Sequence, residues 1–278
     1  MSKPAFIDGD NTLYHYFSTE LVAKESPENH ALIMRMIADL SIWFPPIVYQ
    51  KMPVLLPFAI RDLTCRKAVN KRLEEWGTCN NHGYFRDDNT LIKAIPRKFL
   101  IKSKRREYSG KRMGKGFVAS HVWRKIKGET LASRDPILNS FVPNLVWLPR
   151  QISKLTDREG SFAQRFLQKL SLSIFQDIAV SSQLEEYTRN AWEMLPVPPR
   201  MEASDGISCN NYFDISEKEV HKLIEKLAEQ TSILKSPQPN KKIYCSRYLE
   251  SYSKLPLEKK LNLQKSLENY LSLLPKGL

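Results

Sequence analysis

Three side chains that could do chemistry lie close to two short apolar runs in the middle of the chain. His121 follows the run Phe117-Val118-Ala119, Asn144 precedes the run from Leu145 to Leu148, and Asp157 comes shortly afterwards. An imidazole can accept a proton from water near neutral pH, and a carboxylate can bind a divalent cation. These residue types suit hydrolysis, although a partly buried histidine at a strand end and a turn asparagine after a proline explain the same positions.

Positive charge is concentrated around His121. Between Arg97 and Lys127 the chain has twelve Lys or Arg residues and one acid, Glu107, a surplus of eleven within a total formal charge of +13. Such a concentration favours a polyanionic partner, with an affinity that depends steeply on salt. A flexible, solvated loop is the alternative interpretation. We predict phosphate contacts by Lys104, Arg105, Arg106, Lys111, Arg112, Lys115, Arg124 and Lys125.

The elements that would position these residues follow the order strand, long loop, strand and helix. The apolar runs predict two short strands, the second including Phe141-Val142 as well as Leu145 to Leu148, and Pro149 ends it. From Arg150 onward, apolar residues at helical spacing predict a helical region that is interrupted near Gly160.

Helices are predicted on both sides of this unit. Apolar residues from Ala31 to Phe44 fall at helical spacing, and Ser216 with Glu219 forms a capping box ahead of a C-terminal helix. A last helix is predicted to start near Pro256. We therefore predict an α+β fold that is mostly helical, with a small central ββα-metal-like unit.

The prolines near Pro196 mark the best candidate for a linker. The first and last regions are predicted to be helical, and the middle region contains the basic segment and the nuclease-like ββα unit. Trp123 and Trp147 lie in apolar surroundings, which favours a place in the core over base stacking. The three predicted regions span residues 1–95, 96–195 and 196–278.

The segment from Gly116 to Trp123, which includes Ser120-His121, and the segment from Val142 to Pro149 resemble the HNH, or ββα-metal, nucleases. The resemblance implies that His121 acts as general base on a water molecule and that Asn144 fixes the intervening loop. In that family a divalent metal ion stabilises charge on the scissile phosphate, so the implied cofactor is Mg²⁺ or Mn²⁺.

Serines occupy the two positions where the family has metal ligands. Ser153 stands where members have His or Asn on the helix, and Ser120 stands where many have Asp before the catalytic histidine. Asp157, one helical turn after Ser153, is the nearest carboxylate, and we predict it as the metal ligand.

These features predict a metal-dependent endonuclease that hydrolyses DNA phosphodiester bonds, as restriction or genome-defence enzymes do. RNA as a substrate and a homodimer remain open. The alternative is a non-catalytic nucleic-acid-binding protein, which would keep the basic stretch and dispense with metal ligands.

A second motif points to a different enzyme. Ala5-Phe-Ile-Asp8-Gly-Asp10-Asn-Thr12-Leu resembles the first motif of haloacid dehalogenase-like phosphatases, which implies a nucleophilic Asp8 and an acid/base Asp10. A tight turn formed by the same residues is the structural alternative.

Membrane and zinc-module classes are not favoured. No apolar run reaches the length of a membrane span, and the N-terminus lacks the residue order of a signal peptide, so we expect a cytoplasmic protein. The four cysteines are far apart in sequence, without the paired spacing of a zinc module.

Overall fold

The computed structural model describes residues 9–22, 24, 26–62, 83–87, 89–201, 206–235 and 255–275. In these residues helices provide most of the regular structure and the strands form three two-stranded sheets, so the predicted mostly helical α+β class is confirmed. None of the helices in the described ranges combines the length and apolar content that crossing a bilayer requires.

The N-terminal region consists of α1 (Gly9–Tyr16), a π-helical turn (Phe17–Val22), α2 (Pro27–Leu40) and α3 (Pro46–Lys51). At the start of α2, the Ser26 hydroxyl accepts a hydrogen bond from the backbone N–H of Asn29 at 3.2 Å, and Pro27 occupies the first helical position. The helix ends at Leu40, before the predicted limit at Phe44, because the chain becomes extended there and pairs with a strand.

The strands are short and pair in three ways. Strand β1 (Ala59–Arg61) is parallel to β2 (Phe85–Asp87), β3 (Ile101–Lys102) is antiparallel to β6 (Tyr212–Phe213), and β4 (Phe117–His121) is antiparallel to β5 (Leu145–Pro149). Helix α4 (Thr90–Ala94) follows β2.

Strands β4 and β5 and helix α5 (Arg150–Thr156) form the predicted ββα arrangement. In the antiparallel pair, Ala119 lies opposite Trp147 and His121 lies opposite Leu145. Helix α5 packs against both strands. The second strand is shorter than predicted: Val142–Asn144 form a 3₁₀ turn, since Pro143 has no N–H to donate to a ladder.

The second edge of β5 is also paired. Ile42 donates its backbone N–H to the Trp147 carbonyl at 2.9 Å and accepts the Trp147 N–H at 3.0 Å. Leu145, Val146 and Leu148 are fully buried, like Trp147. Strand β5 therefore lies between β4 on one side and a segment of the N-terminal region on the other.

The remaining described helices are α6 (Phe162–Phe175), α7 (Ser182–Glu193), α8 (Glu217–Lys235) and α9 (Leu257–Leu273). The predicted break near Gly160 is confirmed, since Gly160 lies between α5 and α6 with φ +71°. One half of the predicted capping box is present, because the Ser216 backbone N–H donates to a Glu219 carboxylate oxygen at 2.8 Å. The Ser216 hydroxyl donates to the same carboxylate, and the Glu219 backbone N–H donates to the Ser216 carbonyl.

Residues from all three predicted regions share one hydrophobic core. The Tyr270 hydroxyl on α9 donates to the Val54 carbonyl at 2.8 Å and accepts from the Val54 N–H at 2.9 Å, which joins the C-terminal helix to the N-terminal region. Trp123 and Trp147 are 1% and 0% exposed, so their predicted place in the core is confirmed.

Candidate nucleic-acid interface

A cavity of about 410 Å³ lies beside the exposed face of the ββα unit, between β4 and α5. His121 at the end of β4 and Asp157 just after α5 both line it, so two of the predicted site residues come together. Ser120 and Ser153, the residues at the family's metal-ligand positions, line the same cavity.

His121 is held as a neutral imidazole at the cavity wall. The residue is 8% exposed, and its Nε2 lies 2.9 Å from the carbonyl oxygen of Asn139. Burial lowers the pKa of His121 to about 4, assisted by the charge of Arg61 and opposed by hydrogen bonding to Asn139.

The tautomer of His121 follows from this contact. Because a carbonyl oxygen can only accept, Nε2 donates to Asn139, and Nδ1 of the neutral ring holds the lone pair. A histidine in this form can accept a proton from a water molecule in the cavity.

Asn144 joins the two ends of the loop that connects β4 and β5. Its side-chain oxygen accepts from the Trp123 backbone N–H at 2.7 Å, and its side-chain amide donates to the Leu138 carbonyl at 3.0 Å. Its own carbonyl accepts from the Val122 N–H at 3.0 Å. Asn144 does not line the cavity, and these bonds suit the loop-fixing role that the resemblance implies.

The donors available in the cavity do not fit a divalent metal ion. The hydroxyl oxygens of Ser120 and Ser153 lie 2.6 Å apart and hydrogen-bond to each other. Among the described residues that line the cavity, Asp157 is the only carboxylate. Within the described ranges, no three His, Cys, Asp or Glu side chains come together as a metal-binding group. Divalent ions bound by hard oxygen ligands ordinarily need several such donors.

Asp157 is surrounded by positive charge. Partial desolvation raises the pKa of its carboxyl group, while Arg124 and Arg61 lower it. These two arginines are therefore close enough to act on Asp157 electrostatically.

In the described part of the chain, four cationic side chains line the cavity, namely Arg61, Arg124, Arg150 and Lys154. Of the eight predicted phosphate contacts, Arg124 alone is among them. Arg150 and Lys154 were not predicted as phosphate contacts. Helical spacing places both of them on the same face of α5 as Ser153 and Asp157, so the periodicity of this helix could have indicated them. Arg61 comes from β1, and the local sequence contains no signal for its position.

The basic loop before β4 does not line the cavity. Arg105 forms an ion pair with Asp39 of α2 at 3.1 Å, and the Tyr108 hydroxyl donates to the Leu40 carbonyl at 3.3 Å. Lys125 pairs with Glu129. The other predicted contacts on this loop are exposed but do not line the cavity: Lys104, Arg106, Lys111, Arg112 and Lys115.

Positive charge continues from the cavity along α4. Burial lowers the pKa of Lys93, and the charges of Arg97 and Arg150 lower it further. Because Arg150 lines the cavity, Lys93 and Arg97 extend its positive field beyond the cavity rim.

The phosphatase motif receives no support from the described residues. Asp8 lies outside them, and Asp10 lies in the first turn of α1. Helix α1 packs against α5, with Lys154 Nζ 4.8 Å from the Tyr14 ring centroid. The described strand pairs do not form the sheet of alternating strands and helices that this family requires.

No protein-family model matches the chain, and neither a curated protein nor a solved structure shows significant similarity to it. The functional argument therefore depends on the residues of the cavity.

Proposed function

We propose that this protein binds the phosphodiester backbone of nucleic acid, DNA in the first instance, at the cavity of the ββα unit. The observation behind this proposal is the set of described residues that line the cavity: among them, four side chains are cationic and one, Asp157, is a carboxylate, so their formal charges sum to +3 with His121 neutral. A concave site of that charge suits a phosphate group.

Two of the cavity cations, Arg124 and Arg150, form no salt bridge with a described residue, although Arg124 acts electrostatically on Asp157. Arg150 is exposed. Guanidinium groups offer paired N–H donors that match two phosphate oxygens. Arg124 and Arg150 are therefore the principal proposed contacts.

The extent of the charge favours a polymer over a single small anion. Lys93 and Arg97 continue the positive field on one side of Arg150. A nucleic-acid strand presents phosphates at regular intervals and can contact the cavity and this extension together.

The affinity of the full chain for a labelled DNA duplex and single strand, measured by fluorescence anisotropy, tests the proposal. We expect the double substitution Arg124→Ala and Arg150→Ala to weaken binding at least about tenfold, since each contact is charge-assisted. Lys222→Ala, which removes an exposed cation on α8, is the matched control. Equal affinity of the double variant and the wild type would refute the assignment.

Phosphodiester hydrolysis is a second candidate, favoured by the tautomer of His121. In this step a water oxygen attacks phosphorus while Nδ1 takes its proton, the bond from phosphorus to the leaving sugar oxygen breaks, and that oxygen takes a proton from solvent. The resemblance implies Mg²⁺ or Mn²⁺ as the cofactor, but Asp157 is the one carboxylate among the described lining residues of the cavity. We therefore assign no step of the reaction to a metal ion.

Nicking of supercoiled plasmid tests hydrolysis. The reaction is run with Mg²⁺, with Mn²⁺ and with a chelator. His121→Ala should abolish nicking, and Asp8→Ala should leave it unchanged. Loss of a phosphate-releasing activity in the Asp8 variant alone would instead support the phosphatase alternative.

A further inference from the structure

We infer that the arginines of the cavity take the place that a divalent metal ion has in HNH nucleases, so that the site binds a nucleic-acid phosphate group directly and without metal. This inference rests on the proposed function and specifies how the phosphate is recognised.

The first argument is the state of the two serines. Ser120 and Ser153 are each 5% exposed, and their hydroxyl groups are 2.6 Å apart. One hydroxyl donates to the other, so part of their hydrogen-bonding capacity is already used within the protein. A metal ion bound to either serine would therefore have to compete with this side-chain hydrogen bond.

The second argument is electrostatic. A divalent cation would add two positive charges to a cavity that the guanidinium groups of Arg124 and Arg150 line, and within the described residues Asp157 is the one carboxylate of that lining. The one carboxylate, Asp157, is already within the field of Arg124 and Arg61. Repulsion therefore opposes metal entry, whereas the same field attracts an anion.

The third argument is that guanidinium groups can do what a metal ion does for a phosphate group. In a metal-dependent site the ion neutralises phosphate charge, and guanidinium groups can provide the same neutralisation through charge-assisted hydrogen bonds. Arg124 comes from the loop after β4 and Arg150 from the start of α5. The two residues therefore line the cavity from different elements of the fold.

Two measurements on the full chain test the inference. In the first, anisotropy with labelled DNA is compared in a chelator and in Mg²⁺ at constant ionic strength. We expect dissociation constants that agree within about threefold, because binding depends on arginine contacts and total salt. Binding that disappears in chelator and returns with Mg²⁺ overturns the inference but leaves the proposed function standing. Absence of binding in both conditions overturns the proposed function itself.

The second measurement uses Mn²⁺ alone as the probe, with its electron paramagnetic resonance signal reporting the free ion. Wild-type protein should leave that signal unchanged. Mn²⁺ binding by wild type that is lost in Asp157→Asn would show a functioning metal site and overturn the inference.

A gain-of-function variant completes the design. Ser120→Asp combined with Ser153→His restores the donor types of the resembling family and should bind Mn²⁺. Ser120→Ala combined with Ser153→Ala, the matched control for metal binding, should leave Mn²⁺ free. The wild-type titration decides the question independently, even when the metal-restoring variant fails to fold.

Discussion

The side-chain oxygen of Asn144 accepts a hydrogen bond from the backbone N–H of Trp123 at 2.7 Å, across the whole loop between β4 and β5. The same amide group donates to the Leu138 carbonyl, so one buried side chain holds two other points of the loop. The loop begins immediately after His121, and its Asn139 carbonyl orients that ring. The conformation of this loop therefore determines the orientation of the His121 ring.

Replacing Asn144 by Ala should destabilise the protein by about 2–4 kcal/mol, because a buried N–H and a buried carbonyl lose their partners. Urea unfolding followed by tryptophan fluorescence measures this change. Asn190→Ala, at an exposed position on α7, is the control and should remain within about 0.5 kcal/mol of wild type. Equal stability of the two variants would contradict the structural role of Asn144.

The salt dependence of DNA binding should distinguish cavity cations from paired surface cations. Arg150→Ala should reduce the slope of log affinity against log salt by about 0.9, the value for one lost phosphate contact on a duplex. Arg105→Ala should leave the slope near that of wild type, because Arg105 is already paired with Asp39. A larger effect from Arg105 would place the interface on the basic loop.

Stability should fall with acidification because of His121. Its pKa in the folded protein, about 4, lies below the ordinary value of 6.5, so the unfolded state binds more protons between these two values. The stabilising contribution is complete above the ordinary pKa and is lost as the pH falls toward the folded pKa.

From about pH 7 to about pH 5, this histidine alone should cost about 2 kcal/mol of the free energy of unfolding. Urea unfolding across this range, compared between wild type and His121→Gln, isolates the effect. The variant should show the shallower dependence on pH, and parallel curves would mean that the ring is not desolvated.

The contact between α9 and the N-terminal region should also be measurable. Tyr270→Phe removes the hydroxyl that serves both the N–H and the carbonyl of Val54, and we expect a loss of about 1–3 kcal/mol. Tyr16→Phe is the control, since Tyr16 is 60% exposed. Thermal unfolding that is equal for both variants would show that the Tyr270 hydroxyl contributes nothing.

Local sequence patterns predicted the structural features that depend on residues close together in the sequence. The capping box at Ser216 and Glu219 and the break at Gly160 each depend on residues within a few positions of one another. The strand, loop, strand and helix order around His121 was also predicted, because apolar runs and Pro149 mark it. Phe141-Val142 was wrongly included in the second strand, although Pro143 already opposed that interpretation.

The cavity could be predicted only in part, because its charge comes from separate elements. Helical spacing could have placed Arg150 and Lys154 beside Ser153, whereas Arg61 depends on the position of β1. Proximity in sequence suggested that the basic loop faces His121. In the structure Arg105 pairs with α2, an interaction between residues 66 positions apart that no local pattern encodes.

The pairing of Ile42 with Trp147 has a practical consequence for anyone who wishes to work with the ββα unit by itself. A fragment that starts after residue 95 would lack Ile42, and a strand of large apolar side chains would then present an open edge to solvent. Such edges recruit other chains, so the excised fragment should aggregate during expression. Biochemistry on this protein is best done with the N-terminal helices in place.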